Sequence, residues 1–237
     1  MCIAGALSAS LEVWCPKRTW NGENERVACF DGISIYKRDL NTLNDNSWVC
    51  DTIVDVLLRY YCKLAEKRNA KFFAFSNFFQ QKLLIDGPLG ERPLRLSGCF
   101  ISRVGMFTPE EMNKYECVLV PICDMLHWWL IAYNVRAGKL YVLCSMGWQK
   151  REVASSIRRY FQHVRQEQRW PEDIASISQP IYADVIQQAN GYDCGIFVTE
   201  FARRITEGGE VGPGLHADIH VNSKRPYLKK LIRSFAI

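Results

Sequence analysis

Residues 190–198 read NGYDCGIFV, with Cys194 set between Asp193 and Gly195. Downstream, Phe197, Phe201 and Ile205 recur at i, i+4 and i+8. That spacing predicts a helix with one buried face and Cys194 in its first turn. Unpaired backbone N–H groups and the positive end of the helix dipole favour an anion there. A thiol so placed is expected to have a lowered pKa, and the thiolate is the nucleophilic form. Gly191 and Gly195 are expected to let the backbone turn and to give a substrate close access. The competing reading is a small buried hydrophobe at a helix start, with no chemistry.

A base would decide between the two. The chain has four histidines, His127, His163, His216 and His220. His163 falls on the apolar side of an arginine-rich helical stretch and is expected to be partly buried. His216 and His220 lie in a Gly/Pro-containing region and are expected at the surface. His127 opens the run HWWLIAY directly after a loop, the place where a rigid scaffold projects catalytic groups. A Cys and a His distant in sequence but convergent in space form a thiolate–imidazolium pair. Gln188, six residues before Cys194, ends an incoming extended segment, and its amide could donate to an oxyanion forming at the cysteine.

The rest of the chain supports one α+β domain. Its 237 residues are 48% hydrophobic, with 12 Phe, 10 Tyr and 7 Trp, enough for a substantial core. The net charge of +5 is weak support for nucleic acid and compatible with an acidic protein partner. Ten cysteines occur without any C-x-x-C pair, which argues against zinc ribbons and thioredoxin-like sites and for a reducing compartment. No metal or cofactor is expected. The opening MCIAGALSAS lacks a basic n-region, position 2 is not Gly, and no apolar run is of membrane-spanning length. Nucleus or cytoplasm is the expected address.

Along the chain, residues 1–28 read as a peripheral leader and 29–237 as the domain. Asn46 or Ser47 is expected to cap a helix that buries Val49, Ile53, Val56, Leu57 and Tyr60. FFAFSNFFQQKL is expected to be buried. YECVLVPI, HWWLIAYNV and LYVLC predict three neighbouring strands, and ISQPIYADVIQQ a further one. Residues 151–170 predict an amphipathic helix with a solvated, arginine-rich face. A tight turn at Ala137–Gly138 would set His127 opposite Trp148, whereas one centred near Val135–Arg136 would set it opposite Cys144.

HWWL, a strand ending in SMG, and QQANGYDCGIFV together resemble the Ulp/SENP proteases that process ubiquitin-like modifiers such as SUMO and Nedd8. LNDNSWVCDTIVDVLLRYY resembles that family's Trp-x-x-Asp helix, FFAFSNFFQQKL its aromatic segment and HVNSKRPYLKKLI its closing helix, so the likeness runs from about Asp31 onward. The resemblance implies a single cysteine-protease domain with a central mixed sheet flanked by helices. It implies Cys194 as nucleophile, His127 as base and Gln188 as oxyanion donor. Trp48 and Trp128 become the roof and wall of a channel for a Gly-Gly tail, and Asp51 an acid near the substrate. The implied partner is a ubiquitin-like modifier of SUMO or Nedd8 class, with no nucleic acid or membrane; a monomer is expected.

The chain departs from the family at position 144. The family places Asp before SMG, where this chain has Cys144, and a thiol is a weak hydrogen-bond partner for an imidazole. Three functions follow from that departure: an isopeptidase with weakened catalysis, a catalytically silent modifier-binding module, or a Cys–His acyltransferase, which has no need of a Gly-Gly channel.

Overall fold

The computed structural model of the chain describes residues 22–80, 83, 109–167, 176–208, 211 and 213–235. The expected leader lies outside these residues except for 22–28, where the chain already enters its first strand. A two-stranded hairpin comes first, β1 (Arg26–Phe30) and β2 (Ile33–Tyr36), followed by α1 (Lys37–Asn41) and α2 (Asp51–Glu66). Next come β3 (Phe72–Ala74), α3 (Pro109–Met112), β4 (Cys117–Asp124), β5 (His127–Asn134) and β6 (Lys139–Leu143). The chain closes through α4 (Arg151–Glu167), β7 (Ile181–Tyr182), α5 (Cys194–Gly208) and α6 (Val221–Arg233). This is an α+β fold.

The main sheet runs in the order β3-β4-β5-β6-β7. Its inner pairs are antiparallel and its two outer pairs parallel, so the sheet is mixed. Strand β5 lies at the centre and is buried on both faces. Trp128, Leu130 and Ala132 pack with α2 and α5, while Trp129, Ile131 and Tyr133 pack with Phe75, Phe79 and the α4 residues Ile157, Tyr160 and Phe161. A strand covered on both sides has no polar face, which is why HWWLIAY reads as a continuous apolar run.

Three sequence expectations are corrected. The N-cap of α2 is Cys50, not Asn46 or Ser47, and it makes no side-chain cap. Pairing in ISQPIYADVIQQ is confined to Ile181–Tyr182, which join β6. The basic face of α4 is partly structural: Arg158 donates to the Ile177 and Ser178 carbonyls, and Arg165 is fully buried with a guanidinium N–H on the Val135 carbonyl. The β5–β6 register settles between the two alternatives, with Asn134 opposite Lys139 and Leu130 opposite Leu143. Strand β6 therefore ends three residues short of His127, a fact that shapes the site.

Candidate active site

The loop before Cys194 is held by its own side chains. Asn190 Oδ1 accepts the N–H groups of Tyr192 and Asp193 at 3.1 and 3.0 Å, the geometry of an Asx turn. Asn190 Nδ2 donates to Asp193 Oδ2 at 2.6 Å. The Asp193 carbonyl then accepts from Ile196 and Phe197, starting α5. A Cβ on Gly195 would lie 2.7 Å from the Val49 Cβ, so glycine is required here by the close approach of the α2 leader. At Gly191 a Cβ would meet nothing within 4 Å, and its φ is not positive. At Gly195 the structure thus adds a packing requirement to the expected turn, and neither glycine needs a left-handed backbone.

Cys194 sits at the start of α5 as expected, but its titration runs the other way. It is 1% exposed, and burial raises its pKa above the ordinary thiol value. The N–H groups of Trp128, Gly195 and Cys194 itself pull it down, and the Asp193 charge pushes it up. Burial wins. The Trp128 contribution follows from the register. His127 and Asp124 flank a two-residue turn, so the Trp128 N–H points away from β4. Strand β6 has already ended at Leu143, opposite Leu130, so that N–H has no ladder partner and meets the sulfur instead.

His127 is 2% exposed, and its Nε2 lies 3.2 Å from Cys144 Sγ. The structure thus brings Cys144 to the base, diagonally across the end of the sheet. Nε2 is engaged there, which leaves Nδ1 as the nitrogen available to Cys194. The Trp148 ring lies against the imidazole, centroids 4.8 Å apart. The turn that delivers His127 has both residues in the left-handed region, Met125 at φ 49° and Leu126 at φ 64°, an uncommon strain for non-glycine residues. Lys150 braces this tip, 3.0 Å from Asp124 and over the Trp148 ring. Burial, reinforced by the Lys150 charge and opposed by Asp124, holds the His127 pKa down at about 4. Burial thus pushes each group, taken by itself, toward its neutral form.

Gln188 joins the same cluster. Its N–H donates to the Ser145 carbonyl at 2.8 Å, and its Oε1 accepts the Ser145 hydroxyl at 2.6 Å. Its Nε2 donates to the Asn190 carbonyl at 2.5 Å, leaving one amide hydrogen for an oxyanion.

The two indoles differ. Trp48 is 45% exposed, and its Nε1 donates to the Gly191 carbonyl at 2.8 Å. Trp128 is 1% exposed, with Nε1 on the Val49 carbonyl at 2.9 Å. Trp128 is a core residue that supports the Trp48 loop, which corrects the expectation of a partly exposed channel wall. Asp51 is a first-turn acid of α2, with Oδ1 accepting the Thr52 N–H at 2.8 Å.

The described geometry has counterparts. Residues 47–233 match the family described as the Ulp1 protease family, C-terminal catalytic domain. The chain belongs to this family. It is 25% identical over 204 residues to an Arabidopsis thaliana ubiquitin-like-specific protease, ESD4, covering 81% of this chain and 40% of that protein. The chain thus spans about two fifths of the length of that relative. The Ulp1-like SUMO protease catalytic domain of Chaetomium thermophilum superposes with a TM-score of 0.71 at 20% identity, covering 91% of this chain and 85% of that one. The Ulp1 protease domain in complex with Smt3, the yeast ortholog of SUMO, gives 0.64 at 22%, covering 89% and 86%.

Within this Ulp1-family domain, sequence reasoning missed several residues around the site. Asn190 was legible, since Asn-Gly is a turn signal. Trp148 and Lys150 cover His127 and its turn from a loop with no motif, and Arg225 reaches the Cys194 loop from a helix that reads only as basic. His163, His216 and His220 are all exposed, so the expected partial burial of His163 is corrected. Among the described residues no group of three His, Cys, Asp or Glu could hold a metal ion, and no helix is long and apolar enough to cross a membrane.

Proposed function

We propose that the chain is a cysteine protease or isopeptidase that cleaves after the C-terminal Gly-Gly of a ubiquitin-like modifier, with slowed catalysis. The observation that supports this most is the cluster at the end of β5, where Cys194 takes the Trp128 N–H and His127 contacts Cys144 at 3.2 Å. Cys194 Sγ attacks the terminal glycine carbonyl carbon, its proton passing to His127. The carbonyl oxygen becomes an oxyanion that takes the free amide hydrogen of Gln188. His127 returns the proton to the leaving amine, leaving a thioester at Cys194, and then draws a proton from the water that hydrolyses it. A base of low pKa without a carboxylate partner makes the first proton transfer slow. SUMO is the first modifier to test, because a structurally similar protease domain is bound to Smt3; Nedd8 is the second. The proposed setting is a monomer in nucleus or cytoplasm.

The low His127 pKa also favours a second reading, a silent module that holds a modifier without cutting it. Incubating the protein with SUMO and Nedd8 that carry C-terminal electrophiles, then mapping the adduct by mass spectrometry, tests both. Adduct on Cys194 alone, with hydrolysis of a tail ester, supports the protease. Adduct on Cys194 without hydrolysis supports the silent module. Equal labelling of Cys123 or Cys144 overturns the assignment of the nucleophile.

A further inference from the structure

Helix α6 lies behind the site and reaches it through one side chain. Arg225 is 2% exposed and Asp193 is 5% exposed, so the pair is buried. Nε and Nη2 of Arg225 donate to Asp193 Oδ1 at 3.2 and 2.6 Å. Nη1 donates to the Asn44 carbonyl at 2.8 Å and the Thr42 carbonyl at 3.4 Å, and Nη2 to the Ser47 carbonyl at 2.8 Å. All five guanidinium N–H groups are thereby used. Lys229, one turn on in α6, donates to Asn44 Oδ1. One buried cation thus joins the residue before the nucleophile to the loop that carries Trp48, and Trp48 closes the same two segments from the outside through Gly191.

Asp193 also precedes Cys194 directly, and its charge acts on that thiol. The titratable groups that act with that thiol are Asp193 on its own loop and Cys123 on β4, while His127 precedes Trp128, whose N–H meets the sulfur. Asp51 and Asp124 act on Cys123, and Asp124 and Lys150 on His127. The Asp193 charge opposes formation of the thiolate. Arg225 is the cation bonded to that carboxylate. A carboxylate left unpaired in so buried a place would act on the sulfur at full strength.

We infer that Arg225 is a positioning residue of the nucleophile, clamping the Trp48 loop to the Cys194 loop and screening the Asp193 carboxylate from the thiol. This rests on the reading of Cys194 as nucleophile. Two separable effects follow, one on the pH at which Cys194 ionises and one on the grip of the tail channel.

The test is the pH profile of Cys194 alkylation by iodoacetamide, followed on its own peptide by mass spectrometry, alongside KM and kcat for a SUMO C-terminal ester. The full chain is used as wild type, Arg225→Met, Arg225→Lys, Asp193→Asn and the Asp193→Asn/Arg225→Met double variant. Arg225→Met is expected to move the midpoint up by about one pH unit, a tenfold loss of alkylation rate at neutral pH. Asp193→Asn is expected to move it down, and the double variant to return it to the wild-type value while KM stays raised. Arg225→Lys keeps the charge but loses the fork, so it is expected to raise KM with little change in midpoint. An unmoved midpoint in folded Arg225→Met, or a double variant that keeps the shift, overturns the screening role. If Arg225→Met is recovered only unfolded, Asp193→Asn decides, and a midpoint that does not fall overturns it. Failure of the protease reading looks different: wild type would then hydrolyse neither a SUMO nor a Nedd8 tail ester, whatever the variants do to the midpoint.

Discussion

The proposed nucleophile and its proposed base are held in opposite ways. Around Cys194, the 188–194 loop is pinned by Gln188, Asn190, Asp193 and Arg225, through neutral and charge-assisted hydrogen bonds that leave little freedom. Around His127 the described hydrogen-bond contact of the ring is a single S···N approach of 3.2 Å, and the remaining support is a tryptophan face. The difference teaches that, on the proposed reading, Cys144 acts on the orientation and charge of His127 and leaves the scaffold around Cys194 untouched. The two halves of the site should then respond to mutation through different observables.

The largest expected effect falls on the shared floor beneath both halves. Trp128→Ala removes a fully buried indole and the hydrogen bond to Val49, and should cost about 3–5 kcal/mol of stability by denaturant unfolding. Trp48→Ala removes a half-exposed indole and should cost about 1 kcal/mol or less, while raising KM for the tail ester. Equal losses of stability in the two variants would break the assignment of one tryptophan to the core and the other to the channel.

Cys144→Asp comes next. A carboxylate facing His127 Nε2 would raise the imidazole pKa and fix its tautomer, so kcat for tail hydrolysis should rise about 10- to 100-fold. Cys144→Ala, measured beside it, should be no faster than wild type. An Asp variant without a gain would mean that the base is already oriented by something other than the residue at 144.

Smaller effects appear in stability against pH. The His127 pKa falls from 6.5 in the unfolded chain to about 4 in the fold, so between these values the unfolded state binds more protons. Its contribution is present above pH 6.5 and is lost as pH falls towards 4. Asp55, buried beneath Ser76 and Asn77, runs the other way, raised from 3.8 to about 6. There the folded state binds the extra proton, and stability grows as pH falls from 6 to 3.8. Unfolding midpoints from pH 7 to 4 should therefore fall less steeply in His127→Gln than in wild type, and more steeply in Asp55→Asn. Slopes unchanged in both variants would show that neither group is buried as described.

Much of this was legible in the sequence, because periodicity and turn chemistry are local. Phe197, Phe201 and Ile205 mark the face of α5, and all three are buried. NGYD marks the turn before it, and the apolar runs mark β4, β5 and β6. The residue types Cys, His and Gln were also legible, and the fold gathers them at one end of the sheet. Only the tertiary structure decided what those groups are worth as acids and bases. Burial overrides the helix dipole at Cys194 and keeps His127 neutral, and burial depends on every segment packed above a residue. The register of β6 decided that the Trp128 N–H faces the sulfur, since a strand's end is set by its partners and not by its own residues. Arg225 lies 31 positions after Cys194 in a helix that reads as basic. Its side chain became part of the site because packing α6 behind the loop buried the Asp193 carboxylate beside three loop carbonyls, and one forked donor reaches all four acceptors.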